Sequence, residues 1–395
     1  MVPCVSTGSA GERLVRILTN VNVLAPVGGL EVNACQLSHE IVSLGHNVDV
    51  VYVKDGELTE TFRGFCNSVV KVPATEIRFS RWGPLDLVKL GPALRAARRI
   101  SPDLILVNQT FGLPWALAAA FTTRAKVVCH IHNEPYHERH SIPQHVLLGA
   151  LGRATRHFVA ASEFLRDRAI EQGLQPEWVK VIPLGVAMNA YPAQTPELRS
   201  RARESLGLSY DGLVVLYLGR VDPGKGIEVL LDAWSGLRLD TESATLLVVG
   251  SPFHAIDPEA YVARLRASVS DSGVIFLPRR LDVIGLLHAA DVVVVPSLYG
   301  EPFGRVVIEA MATGCPVVAS RTGGIPEILT GDLDHFLFEP GNVPELASLI
   351  KRVGTWRDTE PSLGRACREH VRAHFSVEQS ASAMLDYFAD ILTSG

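Results

Sequence analysis

An α/β fold of two doubly wound Rossmann-like domains is predicted by three features of the sequence. Short β-branched runs alternate with amphipathic stretches from one end of the chain to the other, the pattern of a parallel sheet covered on both faces. A proline-rich break, with Pro183, Pro192 and Pro196 inside fourteen residues, interrupts that alternation near the middle. The length, 395 residues, is too great for a single hydrophobic core.

In the first half the β-branched runs predict strands at 15–18, 48–53, 104–107, 127–130, 158–161 and 179–182. Between the first two, Ala34, Leu37, Ile41 and Leu44 recur at helical spacing, with Glu40 and Ser43 on the other side, and Gly45 and His46 end the helix. The segment 183–207 reads as a linker. A second round of strands follows at 213–218, 245–249, 274–277, 292–295 and 316–319. Val377, Ala381, Met384, Phe388 and Leu392 then mark a terminal helix. The expected boundaries are 1–188 and 189–375 for the two domains and 376–395 for that helix. Ligands of such sheets sit beyond the carboxyl ends of the strands, so a cleft between the domains is expected.

Composition narrows the function classes. With 37 basic against 42 acidic residues the net charge is −5, which leaves no general excess of positive charge for a nucleic-acid backbone. Mean hydropathy is +0.19, yet runs such as 213–218 and 292–296 stop far short of the roughly 20 apolar residues that span a bilayer. The opening residues carry no basic cap before an apolar stretch of signal length, and about the first dozen read as a loose tail, so a cytoplasmic protein is expected. Six scattered cysteines without a C-x-x-C pair imply reduced thiols.

Three loops carry chemistry. After the opening strand come Pro26, Val27, Gly28 and Gly29, then a helix from about Glu31. Two glycines allow close backbone approach, and a helix amino end favours negative charge; a tight turn alone would look the same. After the strand 213–218 come Gly219, Arg220, Val221, Asp222, Pro223, Gly224, Lys225 and Gly226, a diphosphate site in which two cations neutralise leaving charge. At about 4 Å and an effective dielectric near 20, each cation–phosphate pair is worth on the order of 4 kcal/mol before desolvation. The G-x-x-x-x-G-K-[ST] order is absent, which disfavours phosphoryl transfer from ATP. The third loop, EPFGRVVIE at 301–309, follows VVVVPS. There Gly304 frees the turn, the amides of Gly304, Arg305 and Val306 suit phosphate oxygens, and Glu301 and Glu309 suit sugar or ribose hydroxyls.

Together these segments resemble the retaining glycosyltransferases of family 4, which have the GT-B fold, over nearly the whole chain. PVGGLE and GHNVDVV are similar to the family's opening, and VAASEFLRDRAIEQG and VIPLGV to its approach to the linker. LGRVDPGKG is similar to its donor diphosphate loop, EPFGRVVIEAMATGCPVVAS to its Glu-x7-Glu segment, and TGGIPEIL and HFSVEQSASAMLDYFADIL to its closing segments. The resemblance implies an acceptor-side first domain, a nucleotide-sugar second domain and a terminal helix that crosses back. It implies that Gly219, Arg220 and Lys225 meet the donor diphosphate, that Glu301 contacts the transferred sugar, and that Glu309 holds the ribose. Phe303, Gly304, Arg305 and Val306 would complete the donor site, with Gly28 and Gly29 beside the sugar and phosphates. Leu184 and Ala187 depart from the family's Asn and Asp, and Arg279 and Arg280 replace a glycine-containing stretch near the base.

CHIHNEPYHERH packs four histidines into 129–140 without the spacing of a zinc site. In IHNEP, His132 resembles the family's active-site histidine, which implies a hydrogen bond to the donor sugar or help with the acceptor proton. From 62 to 99 eight basic residues (Arg63, Lys71, Arg78, Arg81, Lys89, Arg95, Arg98 and Arg99) interleave with Phe62, Phe65, Phe79 and Trp82. That pattern admits either a solvated face or a peripheral membrane contact.

The reading is a metal-independent, retaining transferase that moves a hexose-type sugar from a nucleoside diphosphate sugar, a substrate and not a cofactor, to an acceptor hydroxyl on a saccharide, small molecule or lipid-linked group. The catalytic set is Glu301, His132, Arg220 and Lys225, with no nucleic-acid partner. A sugar-nucleotide epimerase and a non-catalytic nucleotide-sugar binder are the alternatives.

Overall fold

The computed structural model describes residues 14–76, 88–133, 144–240, 243–252, 257–269 and 273–394. Strands β1 (Arg16–Val23), β2 (Asn47–Lys54), β3 (Ser68–Lys71), β4 (Leu104–Val107), β5 (Lys126–Ile131), β6 (Phe158–Ala160) and β7 (Val179–Val181) form a seven-stranded sheet in the order β3-β2-β1-β4-β5-β6-β7. Strands β8 (Leu213–Leu218), β9 (Ala244–Val249), β10 (Val274–Leu277), β11 (Val292–Val295), β12 (Val317–Ser320) and β13 (Leu337–Phe338) form a six-stranded sheet in the order β10-β9-β8-β11-β12-β13. Thr19 of β1 lies opposite Val50 of β2 and Leu106 of β4, and Val215 of β8 opposite Leu246 of β9 and Val292 of β11, all in parallel pairs. Two Rossmann-like sheets with interleaved helices result.

The strands are near-continuous apolar runs because helices cover both faces of such sheets. Every residue of β4 is buried, as are Val214 to Tyr217 of β8 and Val292 to Val294 of β11. Among the described residues, those within 1–130, 138–158 and 384–395 form one compact unit and those within 131–137 and 159–383 the other. Strand order reverses between β1 and β4 in the first sheet and between β8 and β11 in the second. At such a reversal the loops leaving the two strands part to opposite faces and open a crevice at their carboxyl ends. In the second sheet those loops are 219–226 and 296–304, the two that carry the charged motifs.

The structure adds β3 and β13, short edge strands that the apolar pattern does not reveal; β3 is only partly buried and β13 has two residues. It also corrects the linker. Residues Pro196–Leu206 form a helix, because Thr195 caps it by accepting from the Leu198 N–H at 3.2 Å and proline is tolerated in its first turn. Arg203 of this helix is buried and donates to Asp291 at 2.6 Å, so the segment is part of the second unit's core. In the terminal helix Val377–Thr393 the last buried residue is Ile391, one position before the expected Leu392. Cys35, Cys66, Cys129, Cys315 and Cys367 are free thiols, while Cys4 and the rest of the expected tail lie outside the described residues. No described helix is long and apolar enough to cross a membrane.

Candidate functional site

The loop leaving β8 is fixed at both ends. Val221 N–H donates to Ser251 at 2.9 Å, which holds the loop beside the one leaving β9. Tyr217 O–H donates to the Arg220 carbonyl at 2.5 Å. Burial, and then the nearby Asp222 and Glu301, push the Tyr217 phenol well above its ordinary pKa, so it stays a neutral donor. A short turn, Pro223–Lys225, ends at Gly226 with φ +68°. A Cβ at Gly226 would lie 1.8 Å from the Pro296 carbonyl oxygen, so only glycine permits this approach of the two loops. Leu298 N–H completes the junction by donating to Gly224 at 3.0 Å.

The junction brings Lys225 to Glu301 across 76 positions of sequence. The Lys225 ammonium donates to Glu301 Oε1, and Ser297 O–H donates to the same oxygen at 2.5 Å. Their side chains are only 21% and 13% exposed, so this charge pair is screened less than a surface pair. The Arg220 side chain is half exposed, its Nε 3.8 Å from Asp222 Oδ2. Lys225 is therefore clamped to the carboxylate, while Arg220 lies half exposed beside Asp222.

Gly304 caps the helix Arg305–Ala312 at φ +102°, which turns the chain so that the helix's first amides follow the Glu301 segment. Glu309 is buried in the second turn, where its Oε1 accepts from Arg305 Nε at 2.7 Å. Arg305 Nη1 also donates to the Gly185 carbonyl at 3.3 Å. Burial, then Glu309, raises the pKa of the Tyr191 phenol beside them. The Phe303 ring is buried against Phe375, centroids 5.9 Å apart, so only its backbone is available to a ligand. A cavity of about 380 Å³ lies beside Val221 of the loop leaving β8, lined also by Gly250, Glu259, Arg266, Phe276 and Pro278 among others.

In the first sheet Gly28 is exposed and caps the helix Gly29–Ser43, which starts two residues before the expected Glu31. Its N–H donates to Glu31 Oε2 at 3.0 Å. His132 follows directly on β5 and is buried; His130, within β5, is pushed down to about 3 by burial and stays neutral. His137 and His140 lie outside the described residues, among which no group of His, Cys, Asp or Glu converges as a metal would require.

The 62–99 reading is corrected at Phe62. Phe62 is fully buried, and Phe65 packs on Phe62 and His39, with centroids 5.5 and 5.1 Å apart. Arg63 is paired with Glu60 at 2.6 Å and Lys71 with Asp55. Helix periodicity in TETFRGF directs the two rings inward; Arg78, Phe79, Arg81 and Trp82 lie outside the described residues.

Thus Gly219, Arg220, Lys225, Glu301, Phe303, Gly304, Arg305, Val306 and Glu309 belong to one unit and converge on one sheet's switch point. Gly28 and Gly29 belong to the other unit. Sequence reasoning missed Ser297 and Tyr217; the only signal for Ser297 is its place at the end of the strand run, four residues before Glu301.

Residues 27–189 match the family described as Glycosyltransferase Family 4, and residues 212–355 that described as Glycosyl transferases group 1. The D-inositol 3-phosphate glycosyltransferase of Saccharomonospora viridis is 31% identical over 227 residues, 55% of this chain and 52% of that protein. The chain thus spans about half the length of that curated relative. The putative glycosyltransferase YtcC of Bacillus subtilis is 28% identical over 284 residues, 68% of each chain. The crystal structure of Anabaena HepE in complex with UDP and glucose superposes with a TM-score of 0.81 at 26% identity, covering 95% of this chain and 100% of that one.

Proposed function

Because this chain belongs to the family 4-like glycosyltransferases of GT-B fold, we propose that it moves a hexose-type sugar from a nucleoside diphosphate sugar to an acceptor hydroxyl with retention of configuration. The observation that carries this reading is the pairing of Lys225 with Glu301 at the switch point of the second sheet, where the loop that also carries Arg220 meets the segment leading into the helix Arg305–Ala312. Fixed positive charge placed where a diphosphate leaves lowers the barrier most, since it needs no reorganisation during bond breaking.

In the proposed reaction the glycosidic bond to the diphosphate lengthens, and Lys225 exchanges part of its pairing with Glu301 for the departing phosphate oxygens. Arg220 swings from the edge of the loop onto the same charge. Glu301, still held by Ser297, faces the sugar hydroxyls near the reacting carbon, and Glu309 accepts from the ribose with the oxygen that Arg305 leaves. The mixed apolar cavity beside Val221 and Pro278 suits a nucleoside base in size. His132 hydrogen-bonds the donor sugar or assists the acceptor proton, while Gly28 and Gly29 give their backbone to the sugar and phosphates. The two protein cations take the charge role that a metal ion plays elsewhere, so the proposal is metal-independent; the locale proposed is the cytoplasm.

HepE was solved with UDP and glucose, which favours a uridine donor here. Product analysis tests the reading. NMR of the product is expected to show a new glycoside with the donor's anomeric configuration, formed at unchanged rate in EDTA. An inverted product, or a rearranged sugar nucleotide without any acceptor adduct, would overturn it.

A further inference from the structure

The segment that presents Glu301 is gripped on both sides by groups from distant parts of the chain. Ser162 is fully buried and caps the helix Glu163–Glu171, accepting from Leu165 N–H at 3.1 Å while its own O–H donates to the Pro302 carbonyl at 2.5 Å. Phe164, two residues on, seats its ring against Gly300, where a Cβ would lie 2.3 Å from Cζ. Gly324 N–H holds the Glu301 carbonyl itself at 2.8 Å. Residues 300, 301 and 302 each therefore have their own anchor.

Glu327 ties these anchors together. Its Oε2 accepts from Glu163 N–H at 2.8 Å and its Oε1 from Phe164 N–H at 2.9 Å. One carboxylate thus covers two amides of the first turn of a nine-residue helix, where negative charge is favoured. It sits in Ile325–Ile328, directly after the Gly324 anchor. Both oxygens are engaged by backbone, so Glu327 acts on the helix that carries Ser162 and Phe164.

We propose that Glu327 is a positioning residue for the reaction: by fastening the amino end of the helix Glu163–Glu171 to the Gly323–Gly324 turn, it sets the place of the Glu301 carboxylate against the transferred sugar. This rests on the reading that Glu301 contacts that sugar. A shift of the 300–302 segment would misplace the carboxylate while the backbone of the loop 219–226 and Glu309 keep their own supports, and small misplacements of a positioned group cost rate steeply.

The test compares Glu327→Gln, Ser162→Ala and Glu301→Gln in the full chain. Calorimetry measures affinity for UDP-, GDP-, ADP- and TDP-glucose and for the free diphosphates, beside kcat on whichever donor binds. Glu327→Gln keeps the size of the side chain but turns an amide N–H toward a backbone N–H. It is expected to lower kcat about tenfold and sugar-nucleotide affinity several-fold, with diphosphate affinity within twofold of wild type. Ser162→Ala should show the same split, and keeps the test open if Glu327→Gln does not fold. Wild-type kcat in both variants, with Glu301→Gln impaired, would overturn the positioning role alone. Equal losses for the sugar nucleotide and the diphosphate would also overturn it, as the mark of general loosening. Wild-type behaviour of Glu301→Gln, or no binding of any donor, would overturn the underlying reading and this proposal with it.

Discussion

Replacing Lys225 by alanine is expected to lower kcat by about 10²–10³-fold, the loss typical when a preorganised group stabilising transition-state charge is removed. Two effects act in the same direction. In the proposed reaction the diphosphate loses a cation at the moment its charge develops, and Glu301 loses the partner that, with Ser297, fixes its Oε1. Donor KM should rise less than kcat falls, because the ground-state diphosphate keeps Arg220 and the amides of the Arg305–Ala312 helix. Steady-state kinetics with both substrates varied makes the comparison. Lys225→Arg keeps the charge but not the compact ammonium that shares Glu301 Oε1 with Ser297, so partial activity is expected. A wild-type kcat in Lys225→Ala would remove Lys225 from the catalytic set.

The second large effect is on stability. Asp291→Ala is expected to destabilise the second unit by about 3–5 kcal/mol, the cost of breaking a buried pair and stranding its partner. Asp291 precedes β11 at the end of the strand away from the site. Its Oδ1 accepts from Arg199 and Arg357 at 3.1 Å each, and its Oδ2 from Arg203 at 2.6 Å and from Val214 N–H at 2.9 Å. Arg203 is 1% exposed, and burial already lowers its pKa against the pull of Asp291. Urea titration followed by circular dichroism measures the loss. Activity per folded molecule should stay near wild type, which separates this variant from Lys225→Ala.

How much of this was legible in the sequence follows from range. Both charged loops were, because each announces itself locally: an apolar strand run, then glycines and charges at its end. Strands 104–107, 213–218, 274–277 and 292–295 appear where the β-branched runs place them. The pairing of Lys225 with Glu301 was not legible, since it depends on β8 and β11 being neighbours, a fact of strand order and not of pattern. The same holds for Glu327, far in sequence from Glu163 and Phe164, whose backbone amides it accepts from and which any residue could supply. Proline marked 183–207 as a break, yet Pro196 opens a helix, because the same fixed φ that interrupts a helix interior suits its first turn. Phe62 and Phe65 looked like a surface feature only while their helix was unrecognised; seven residues are too few to show a period.

In the proposed reaction the loops 219–226 and 301–309 hold a nucleoside diphosphate sugar for transfer. Its most direct test is nucleoside diphosphate release from UDP-, GDP-, ADP- and TDP-sugars, in EDTA, with and without pooled hydroxyl acceptors. Release is expected from one donor, rising with acceptor, persisting in EDTA and falling in Lys225→Ala. No release from any donor by folded protein, with or without acceptors, would contradict it.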